Sequence, residues 1–364
     1  MKALVLGIGR MGTAISWSMD KLGFEVFGMD TWADAGKKMP EGTTFIHVEN
    51  VEKIFEWVVH NGHPDVVISS LPYHQTEEVG TWCVDNGVRY CDLGGRVDVS
   101  KNINEWALKK ATKPVFTDLG LAPGWVNILA EQGCKEIHRQ AEDVEMMVGG
   151  IPGIPMNPPL NYSVTWSTDG LINEYEDSCE VLHNGEIHMV PGMEGLETVH
   201  IDLIKEDMEA FFTSGGASHT IKTMKERGVK NCFYKTIRWP GHCEAVKFLI
   251  RKCDLSQECL LDIFQNGCVA DGNDIVLIRS VVRGGDIEWK KEKIIAADAD
   301  GRFSAMQKAT SFPISSVASL MATGYFDNRV QQNRGGDVKL PIVLTYKDIP
   351  FDDFNEHVEN LLSY

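Results

Sequence analysis

Short apolar segments alternate with helical patterns over the first 120 residues of this 364-residue chain, and this alternation restricts the possible fold more than any other feature. Six segments have the length and continuous hydrophobicity of strands that are buried on both faces of a sheet. They are KALVL (2–6), FEVFGMD (24–30), TFIHV (44–48), DVVISSLP (65–72), RYCDLG (89–94) and PVFTDLG (114–120). Helices between such strands indicate right-handed crossovers, so we expect an α/β fold with a doubly wound parallel sheet.

A glycine-rich loop joins the first predicted strand to the first predicted helix. Its residues Gly7-Ile8-Gly9-Arg10-Met11-Gly12 follow the GxGxxG pattern, and Asp30 ends the second predicted strand. In this context the first glycine permits a tight turn, the second lets a ligand approach the backbone, and the third lets the helix pack closely on the strand. The pattern is typical of a Rossmann dinucleotide-binding domain, in which the helix N-terminus binds a pyrophosphate and the acidic residue binds a ribose hydroxyl.

The same residues favour NAD over NADP as the cofactor. Asp30 would repel a 2′-phosphate, and neither Thr31 nor Trp32 supplies a guanidinium group to bind one. We expect the backbone at the end of the fourth strand to touch the cofactor as well. The candidate cofactor-binding residues are Gly7, Gly9, Arg10, Met11, Gly12, Asp30, Ser69, Ser70 and Leu71. The alternative interpretation is a similar sheet that binds no nucleotide.

Beyond residue 120 the pattern changes to strands that follow one another, with a hairpin predicted at Asn184-Gly185. The predicted strands are VEMMVGGI (144–151), NYSVTWS (161–167), NCFYKTIRW (231–239), NDIVLIRSVV (273–282) and IEWKKEKIIAA (287–297). Helices are predicted over residues 217–227, 241–253 and 256–265, and another after Pro313. These elements indicate a second, α+β domain with a mainly antiparallel sheet. We expect the Rossmann domain to comprise residues 1–121 and 300–335, the second domain residues 122–299, and a C-terminal segment residues 336–364.

Charge and cysteine content disfavour several classes of function. The chain has 35 lysine and arginine residues against 52 aspartate and glutamate residues, which gives a net charge of −17. Such a field disfavours binding to nucleic acid or to an anionic membrane, and no window holds the roughly 18 apolar residues of a membrane span. The nine cysteines include no CxxC pair, which favours reduced thiols over a metal site. We therefore expect a cytoplasmic protein that holds no metal and binds a small molecule.

Six longer phrases carry a family resemblance. They are DLGG (92–95), DLGLAPGWVNIL (118–129), VGGIPGIPMNPPLNY (148–162), EAFFTSGG (209–216), YKTIRWPGH (234–242) and SAMQKATSFPISSVASLMATG (304–324). In this order they resemble the saccharopine dehydrogenase superfamily, and in particular the bacterial L-lysine 6-dehydrogenases. The resemblance implies NAD-dependent oxidation at the ε-carbon of lysine, with release of ammonia and formation of 2-aminoadipate 6-semialdehyde. It also implies a homodimer or a larger homo-oligomer.

A reaction of this kind needs a group that accepts a proton, because only the neutral amine can release a hydride and the lysine side chain has a pKa of about 10.4. Asp92 and Asp118 end two predicted strands, at the sheet edge where open α/β sheets bind ligands. We expect both to bind the amine and transfer protons, although each could instead cap a helix or turn. His74 is a further candidate proton carrier with Tyr73 beside it in the substrate site, unless both are plain surface.

The substrate carboxylate is best bound by a guanidinium group, which donates two parallel hydrogen bonds. Alternation in the predicted strand places Arg238 on the same face as Tyr234 and Thr236, and we expect Arg238 to bind the carboxylate. The other expected substrate-binding residues are Tyr162, Thr213, Ser214 and His242. A surface ion pair for Arg238, a core position for Tyr162 and structural roles for the others remain open.

Two other functions are consistent with the sequence. A saccharopine- or carboxynorspermidine-type dehydrogenase would join an aldehyde to an amino acid by reductive C–N coupling, and Arg96 could bind its additional carboxylate. A non-enzymatic NAD-binding sensor would retain the fold without turnover. Turnover of lysine with NAD and no second substrate distinguishes the deaminating dehydrogenase from both.

Overall fold

The computed structural model describes residues 1–327 and 343–364. The chain forms two compact units, of which the first comprises Met1–Trp125 with Thr310–Tyr364 and the second comprises Val126–Ala309. The predicted boundary between residues 335 and 336 lies outside the described residues. No helix in the described part of the chain is both long enough and apolar enough to cross a membrane.

The first unit is built on a seven-stranded sheet. Its strands are β1 (Lys2–Leu6), β2 (Glu25–Asp30), β3 (Thr44–His47), β4 (Val66–Ser69), β5 (Tyr90–Asp92), β6 (Val115–Phe116) and β15 (Val343–Leu344). The strand order is β15-β6-β5-β4-β1-β2-β3, and every pairing is parallel. Residues 3–6 of β1 are completely buried, as expected for a strand covered on both faces. The predicted doubly wound parallel sheet is therefore confirmed.

The helices begin and end at residues whose side chains or backbone favour those positions. They are α1 (Arg10–Lys21), α2 (Val51–Asn61), α3 (Tyr73–Asp85), α4 (Val97–Lys110), α5 (Trp125–Glu136), α6 (Thr168–Glu176), α7 (Thr220–Glu226), α8 (His242–Lys247), α9 (Gln257–Gly267), α10 (Ala305–Ala322) and α11 (Phe351–Leu362). The side chain of Asn50 accepts a hydrogen bond from the N–H of Lys53 at the start of α2. Ser167 and Ser256 cap α6 and α9 in the same way.

The second unit contains a mixed sheet of eight strands. They are β7 (Asp143–Pro152), β8 (Cys179–His183), β9 (Glu186–Val190), β10 (Glu197–Ile201), β11 (Glu206–Phe212), β12 (Asn231–Arg238), β13 (Asp274–Gly284) and β14 (Ile287–Ala296). The main path is β10-β11-β12-β7-β13-β14, and β8 pairs with β12 and β9. Only the β12–β7 pairing is parallel among the described pairings, so the predicted, mainly antiparallel sheet is confirmed. The β8–β9 hairpin turns at Asn184 and Gly185, which both have positive φ as a type I′ turn requires.

Two apolar clusters cover the second unit's sheet. One includes Met147, Met208 and Ile237. The other includes Tyr162, Tyr175, Phe211 and Phe264. Neighbouring residues of a strand point to opposite faces, so Ile237 contributes to the first cluster while Thr236 and Arg238 point towards the second. The second cluster is therefore the one that borders the polar groups of β12.

The segment 161–167, predicted as a strand, is irregular, so this prediction was wrong. Its backbone groups bond outside any sheet: Asn157 Nδ2 donates to the carbonyl of Tyr162 at 2.9 Å, and the N–H of Val164 donates to the carbonyl of Cys268 at 2.9 Å. Asn161 has a φ of 49°, which interrupts an extended backbone. Tyr162 is completely buried and meets the ring of Phe264 edge-on, so packing rather than strand pairing explains the alternation.

The helix predicted after Pro313 begins earlier, at Ala305, and Pro313 lies inside it. Ser304 and Gln307 form reciprocal hydrogen bonds between side chain and backbone N–H, which is a capping box. The Asp274 carboxylate also accepts hydrogen bonds from the N–H groups of Ala305 and Met306. These two caps fix the start of α10 upstream of the proline.

Candidate active-site residues of the two units

The glycine-rich loop is tied to the end of β2 by Asp30. One carboxylate oxygen of Asp30 accepts a hydrogen bond from the N–H of Ile8 at 2.7 Å, and the other accepts one from the N–H of Trp32 at 2.7 Å. Each carboxylate oxygen can accept a second hydrogen bond. Asp30 therefore holds the loop in place and retains acceptor capacity for ribose hydroxyls.

Gly9 and Gly12 have different local environments. A Cβ on Gly12 would collide with the carbonyl oxygen of Gly7, so only glycine lets α1 pack this closely on the loop. A Cβ on Gly9 would meet no atom within 4 Å, so the loop has an open surface beside the first turn of α1. The first N–H groups of a helix lack an intrahelical acceptor and favour an anion. These residues therefore fit the pyrophosphate of a dinucleotide.

The remaining cofactor candidates lie around this loop. Arg10 is exposed and Met11 half-buried in the first turn of α1. The N–H of Ser70 donates to the carbonyl of Leu6 at 2.8 Å, which places the end of β4 beside the loop. The hydroxyl of Ser69 is buried and forms no hydrogen bond of normal geometry with the described residues. Leu71 is half-buried after it.

Asp92 and Asp118 contact each other in the structure. Oδ1 of Asp92 accepts hydrogen bonds from the N–H groups of Gly94 at 2.8 Å and of Asp118 at 3.1 Å. Its Oδ2 is buried without a hydrogen bond of normal geometry. Burial, together with the negative charge of Asp118, raises the pKa of Asp92 to about 7. Asp92 can therefore gain or lose a proton near neutral pH.

Asp118 is held by a residue that the sequence analysis missed. The Ser100 hydroxyl on α4 donates to Oδ1 of Asp118 at 2.6 Å, and both side chains are buried. Asp118 has a φ of 65°, a conformation that is uncommon outside glycine and that concentrates at functional sites. No short-range pattern around Ser100 could have indicated this contact, because the two partners lie 18 positions apart in the sequence.

Replacing Asp92 with asparagine should change the pH dependence of stability. The folded protein keeps the Asp92 proton up to about pH 7, whereas an unfolded chain releases it near the ordinary value of 3.8. The stability contribution of the protonated group is therefore complete below about pH 4 and is lost as the pH rises through about 7. We therefore compare the free energy of unfolding of Asp92→Asn with that of the wild type, measured by urea unfolding. This difference should shift in favour of the variant by roughly 2–3 kcal/mol when the pH rises from about 5 to about 8.

The exposed Asp98 on α4 provides the control for this measurement. Arg96 holds the pKa of Asp98 below its ordinary value, so Asp98 stays ionised over the whole range. Asp98→Asn should therefore show the same difference from the wild type at both pH values. If the difference in unfolding free energy between Asp92→Asn and the wild type is also the same at both pH values, burial does not raise the pKa of Asp92 as described.

Tyr73 and His74 occupy the first turn of α3, and both are exposed. The Arg96 guanidinium lies over the Tyr73 ring, 5.4 Å from its centroid, and pairs with Asp98 at 2.9 Å. The His74 ring meets the Tyr73 ring edge-on. In the first unit these two residues thus lie on the surface, in contrast to the buried aspartates.

In the second unit, Arg238 is almost completely buried at the end of β12. Arg238 pairs with Glu209 and Thr236 pairs with Phe211 across β11 and β12, so these side chains share a face of the sheet. Nη1 of Arg238 donates to the Thr236 hydroxyl at 2.7 Å and to the carbonyl of Ile237 at 3.0 Å. Its Nε donates to the Tyr175 hydroxyl at 3.0 Å. Nη2 has no acceptor among the described residues.

A buried chain of hydrogen bonds continues from Tyr175. The Tyr175 hydroxyl lies 2.9 Å from Nε2 of His242, and Nδ1 of His242 lies 2.6 Å from the carbonyl of Leu160. Because a carbonyl only accepts, Nδ1 carries the proton and Nε2 accepts the proton of Tyr175. Burial, together with the charge of Arg238, lowers the pKa of His242 to about 3, so its ring is neutral. These hydrogen bonds fix the orientation of the Arg238 guanidinium.

Tyr162 and His242 are both completely buried, behind Arg238. The Tyr162 ring centroid lies 5.0 Å from the Arg238 guanidinium, and Trp166 Nε1 donates to the Tyr162 hydroxyl. Glu209 accepts hydrogen bonds from the N–H groups of Gly241 and Cys243 and so anchors the turn that carries His242. These positions support the arginine rather than expose the two rings to a ligand.

Thr213 and Ser214 follow β11 on the same side of the unit. The Thr213 hydroxyl is buried without a partner among the described residues, and the N–H of Ser214 donates to the carbonyl of Glu174 at 3.1 Å. Tyr175, which bonds to Arg238, lies next to Glu174 on α6. The structure thus brings Tyr162, Thr213, Ser214, Arg238 and His242 together within the second unit. The described residues contain no cluster that could hold a metal ion, and all nine cysteines are unpaired.

Comparison with known proteins identifies the family. The family model for the saccharopine dehydrogenase C-terminal domain matches residues 120–339, more than half of the chain. The chain belongs to the saccharopine dehydrogenase family. A curated member of similar sequence is saccharopine dehydrogenase [NADP(+), L-glutamate-forming] of Schizosaccharomyces pombe, 24% identical over 138 residues, or 37% of this chain and 30% of that protein. Another is the mitochondrial alpha-aminoadipic semialdehyde synthase of Rattus norvegicus, 26% identical over 200 residues, or 52% of this chain and 21% of that protein.

A solved structure of the family shows the same fold. The apo, L-Glu-forming saccharopine dehydrogenase of Saccharomyces cerevisiae superposes with a TM-score of 0.74 at 15% identity, and the match covers 100% of this chain and 97% of that one. The curated relatives, in contrast, are much longer than the regions they share with this chain. Family and fold are thereby established for this chain.

Proposed function

We propose that this protein is an NAD-dependent amino-acid dehydrogenase that deaminates L-lysine oxidatively at its ε-carbon. The observation that carries the proposal is Arg238, a buried and rigidly held guanidinium whose Nη2 is left for a ligand. Guanidinium groups in such sites bind carboxylates. The phrases DLGG, TSGG and YKTIR favour lysine as the substrate, because they resemble the lysine 6-dehydrogenases.

In this proposal the glycine-rich loop and Asp30 hold NAD, which when bound accepts a hydride. Asp92 takes up a proton from the lysine ammonium, because its pKa of about 7 lets it act near neutral pH. Asp118, held by Ser100, orients the amine. A proton returned by Asp92 then assists the departure of ammonia after water has added. Arg238 binds the carboxylate, with Tyr175, His242 and Tyr162 as positioning residues.

Asp30 is proposed to select NAD over NADP. We expect Asp30→Ser to raise the KM for NAD by about tenfold or more and to lower the KM for NADP, because the repulsion of a 2′-phosphate is removed. Steady-state assays with both cofactors measure the two values, and thermal unfolding checks that the loop still folds without its hydrogen bond to Ile8. Asp34→Ser, an exposed position in the short helix that follows β2, should change neither value. Equal loss of affinity for NAD and NADP would contradict the selection.

The second candidate is a saccharopine-type dehydrogenase, and the names of the relatives favour it. That reaction joins an amino acid to an aldehyde and so handles one more carboxylate. Arg96, which is exposed and paired with Asp98, is the candidate side chain for that carboxylate. The comparison with known proteins does not distinguish the two reactions, so an assay of turnover is needed to assign one of them.

The decisive assay compares substrates at alkaline pH. Purified protein is mixed with NAD and L-lysine, ornithine or putrescine, and formation of NADH is followed. We expect NADH with lysine and its loss in Asp118→Ala. Consumption of NADH only when an aldehyde and an amino acid are supplied together would support the saccharopine-type reaction. Tight binding of NAD without any turnover would support the sensor.

A further inference from the structure

Trp32 is the one tryptophan of this chain that lies mainly on the surface. The residue is 53% exposed, whereas the other eight tryptophans are buried or half-buried, and all nine lie in the described part of the chain. A single exposed apolar side chain is common in soluble proteins and indicates nothing by itself. What surrounds Trp32 therefore decides what its ring can bind.

The backbone at Trp32 is fixed by two side chains. Oδ1 of Asp30 accepts a hydrogen bond from the N–H of Trp32 at 2.7 Å, while Oδ2 accepts one from the N–H of Ile8 in the glycine-rich loop. Nε2 of His47, at the end of β3, donates to the carbonyl of Thr31 at 3.0 Å. The carboxylate that is proposed to bind the ribose is thus bonded directly to the backbone of Trp32.

The indole ring of Trp32 has one covered face. The Lys38 ammonium lies 4.6 Å from the ring centroid, which is a cation–π contact. Because the residue is still more than half exposed, the other face is open to solvent in the described part of the chain. An open indole face can stack on a planar nucleic-acid base, since every base presents a π-face.

We propose that Trp32 binds the adenine base of the dinucleotide by stacking. This inference rests on the proposed cofactor site and extends it from the pyrophosphate and the ribose to the base. The adenine is attached to the ribose whose hydroxyl groups Asp30 is proposed to bind, so the base lies near the carboxylate that bonds Trp32. Stacking does not sense the 2′-phosphate, so Trp32 contributes affinity for adenosine while Asp30 distinguishes NAD from NADP.

Calorimetric titration with ADP-ribose tests the assignment, because this fragment carries the adenosine and the pyrophosphate but has no nicotinamide to be reduced. Trp32→Leu removes the aromatic face and keeps both hydrogen bonds of Asp30, since their donors are backbone N–H groups. We expect the Kd for ADP-ribose to rise by about 5- to 20-fold in Trp32→Leu and to rise less in Trp32→Phe, which retains a ring. An unchanged Kd in Trp32→Leu would overturn the proposal.

Trp106 provides the matched control. It lies on α4 of the same unit, with the Lys110 ammonium 3.8 Å from its ring centroid, and its Nε1 donates to Asp85. It therefore resembles Trp32 in its contact with a lysine but does not follow β2. Trp106→Leu should bind ADP-ribose with the wild-type Kd, and thermal unfolding checks that both leucine variants are folded. An equal loss of affinity in the two folded variants would overturn the proposal.

Indole fluorescence provides a second readout, because a base stacked on an indole quenches its emission. We expect ADP-ribose to quench the emission of the wild type and of Trp106→Phe. The quenching should be much smaller in Trp32→Phe at saturating ADP-ribose, although this variant still binds the fragment. Quenching of undiminished size in Trp32→Phe would contradict stacking on Trp32.

These measurements separate the inference from the proposed reaction. If lysine is not oxidised but Trp32→Leu binds ADP-ribose more weakly than Trp106→Leu does, the inference stands and the lysine reaction fails. If lysine is oxidised with NAD but Trp32→Leu binds ADP-ribose as the wild type does, the reaction stands and the inference fails. If the wild type does not bind ADP-ribose, both the proposed cofactor site and the inference fail.

Discussion

Replacing Arg238 with glutamine should lower kcat/KM for L-lysine by roughly 10²- to 10³-fold, because truncating one partner of a buried, charged hydrogen-bonded pair costs about 2–5 kcal/mol. The affinity for NAD should remain at the wild-type value, because Arg238 belongs to the second unit and the glycine-rich loop to the first. Steady-state kinetics and cofactor titration measure the two effects. The loss in kcat/KM should be large for L-lysine and much smaller for cadaverine, which has no carboxylate.

Two further variants keep this result interpretable. Arg238→Lys retains the positive charge but cannot donate to Tyr175 and Thr236 in the same geometry, so we expect a similar loss with a smaller effect on folding. Arg251→Gln removes an exposed arginine that pairs with Glu194 and should leave kcat/KM unchanged. An Arg238→Lys protein with wild-type KM for lysine would contradict carboxylate binding by this side chain.

Alanine at Gly12 should lower both stability and NAD binding, whereas alanine at Gly9 should weaken NAD binding with little effect on stability. Gly12→Ala forces a Cβ into the carbonyl oxygen of Gly7, and we expect a loss of about 3 kcal/mol in the free energy of unfolding together with loss of NAD binding. Gly9→Ala meets no atom of the protein within 4 Å, so stability should change by less than about 1 kcal/mol. Its added methyl group would nevertheless occupy the open surface, and we expect the Kd for NAD to rise by roughly 30-fold.

Chemical denaturation and calorimetric titration of NAD measure these two quantities. Gly267→Ala is the control, because a Cβ there also meets no atom within 4 Å and the residue lies on α9 of the second unit. It should leave the Kd for NAD unchanged and change the free energy of unfolding by no more than about 1 kcal/mol. If Gly9→Ala binds NAD as tightly as the wild type, the loop is not the pyrophosphate site.

The features that sequence could predict are those encoded by neighbouring residues. The glycine spacing, the apolar strands of the first unit and the Asn184-Gly185 hairpin depend on local turn chemistry and short-range periodicity, and the structure confirms these elements. Two local patterns led to wrong predictions. In one case a stronger local signal was present, and in the other a distant partner determines the structure. The Ser304–Gln307 capping box starts α10 well before Pro313, and packing against Phe264 rather than a strand partner holds Tyr162.

The parts of the candidate site that sequence could not predict depend on long-range contacts. Arg238 meets Tyr175 across 63 positions, and His242 meets the carbonyl of Leu160 across 82. Tyr175 belongs to no motif, because it lies on a short helix with ordinary polar neighbours. The significance of Tyr175 comes from Arg238, to which it forms a hydrogen bond in the folded unit.

The most direct test of the proposed reaction is to follow the hydrogen that leaves the substrate. The protein is incubated with NAD and L-lysine deuterated either at C6 or at C2, and the reduced cofactor is analysed by mass spectrometry while ammonia is measured. Oxidation at the ε-carbon predicts deuterium in the reduced cofactor only from C6-labelled lysine, with ammonia released in equal amount. Transfer of deuterium from C2, or reduction without release of ammonia, would contradict it.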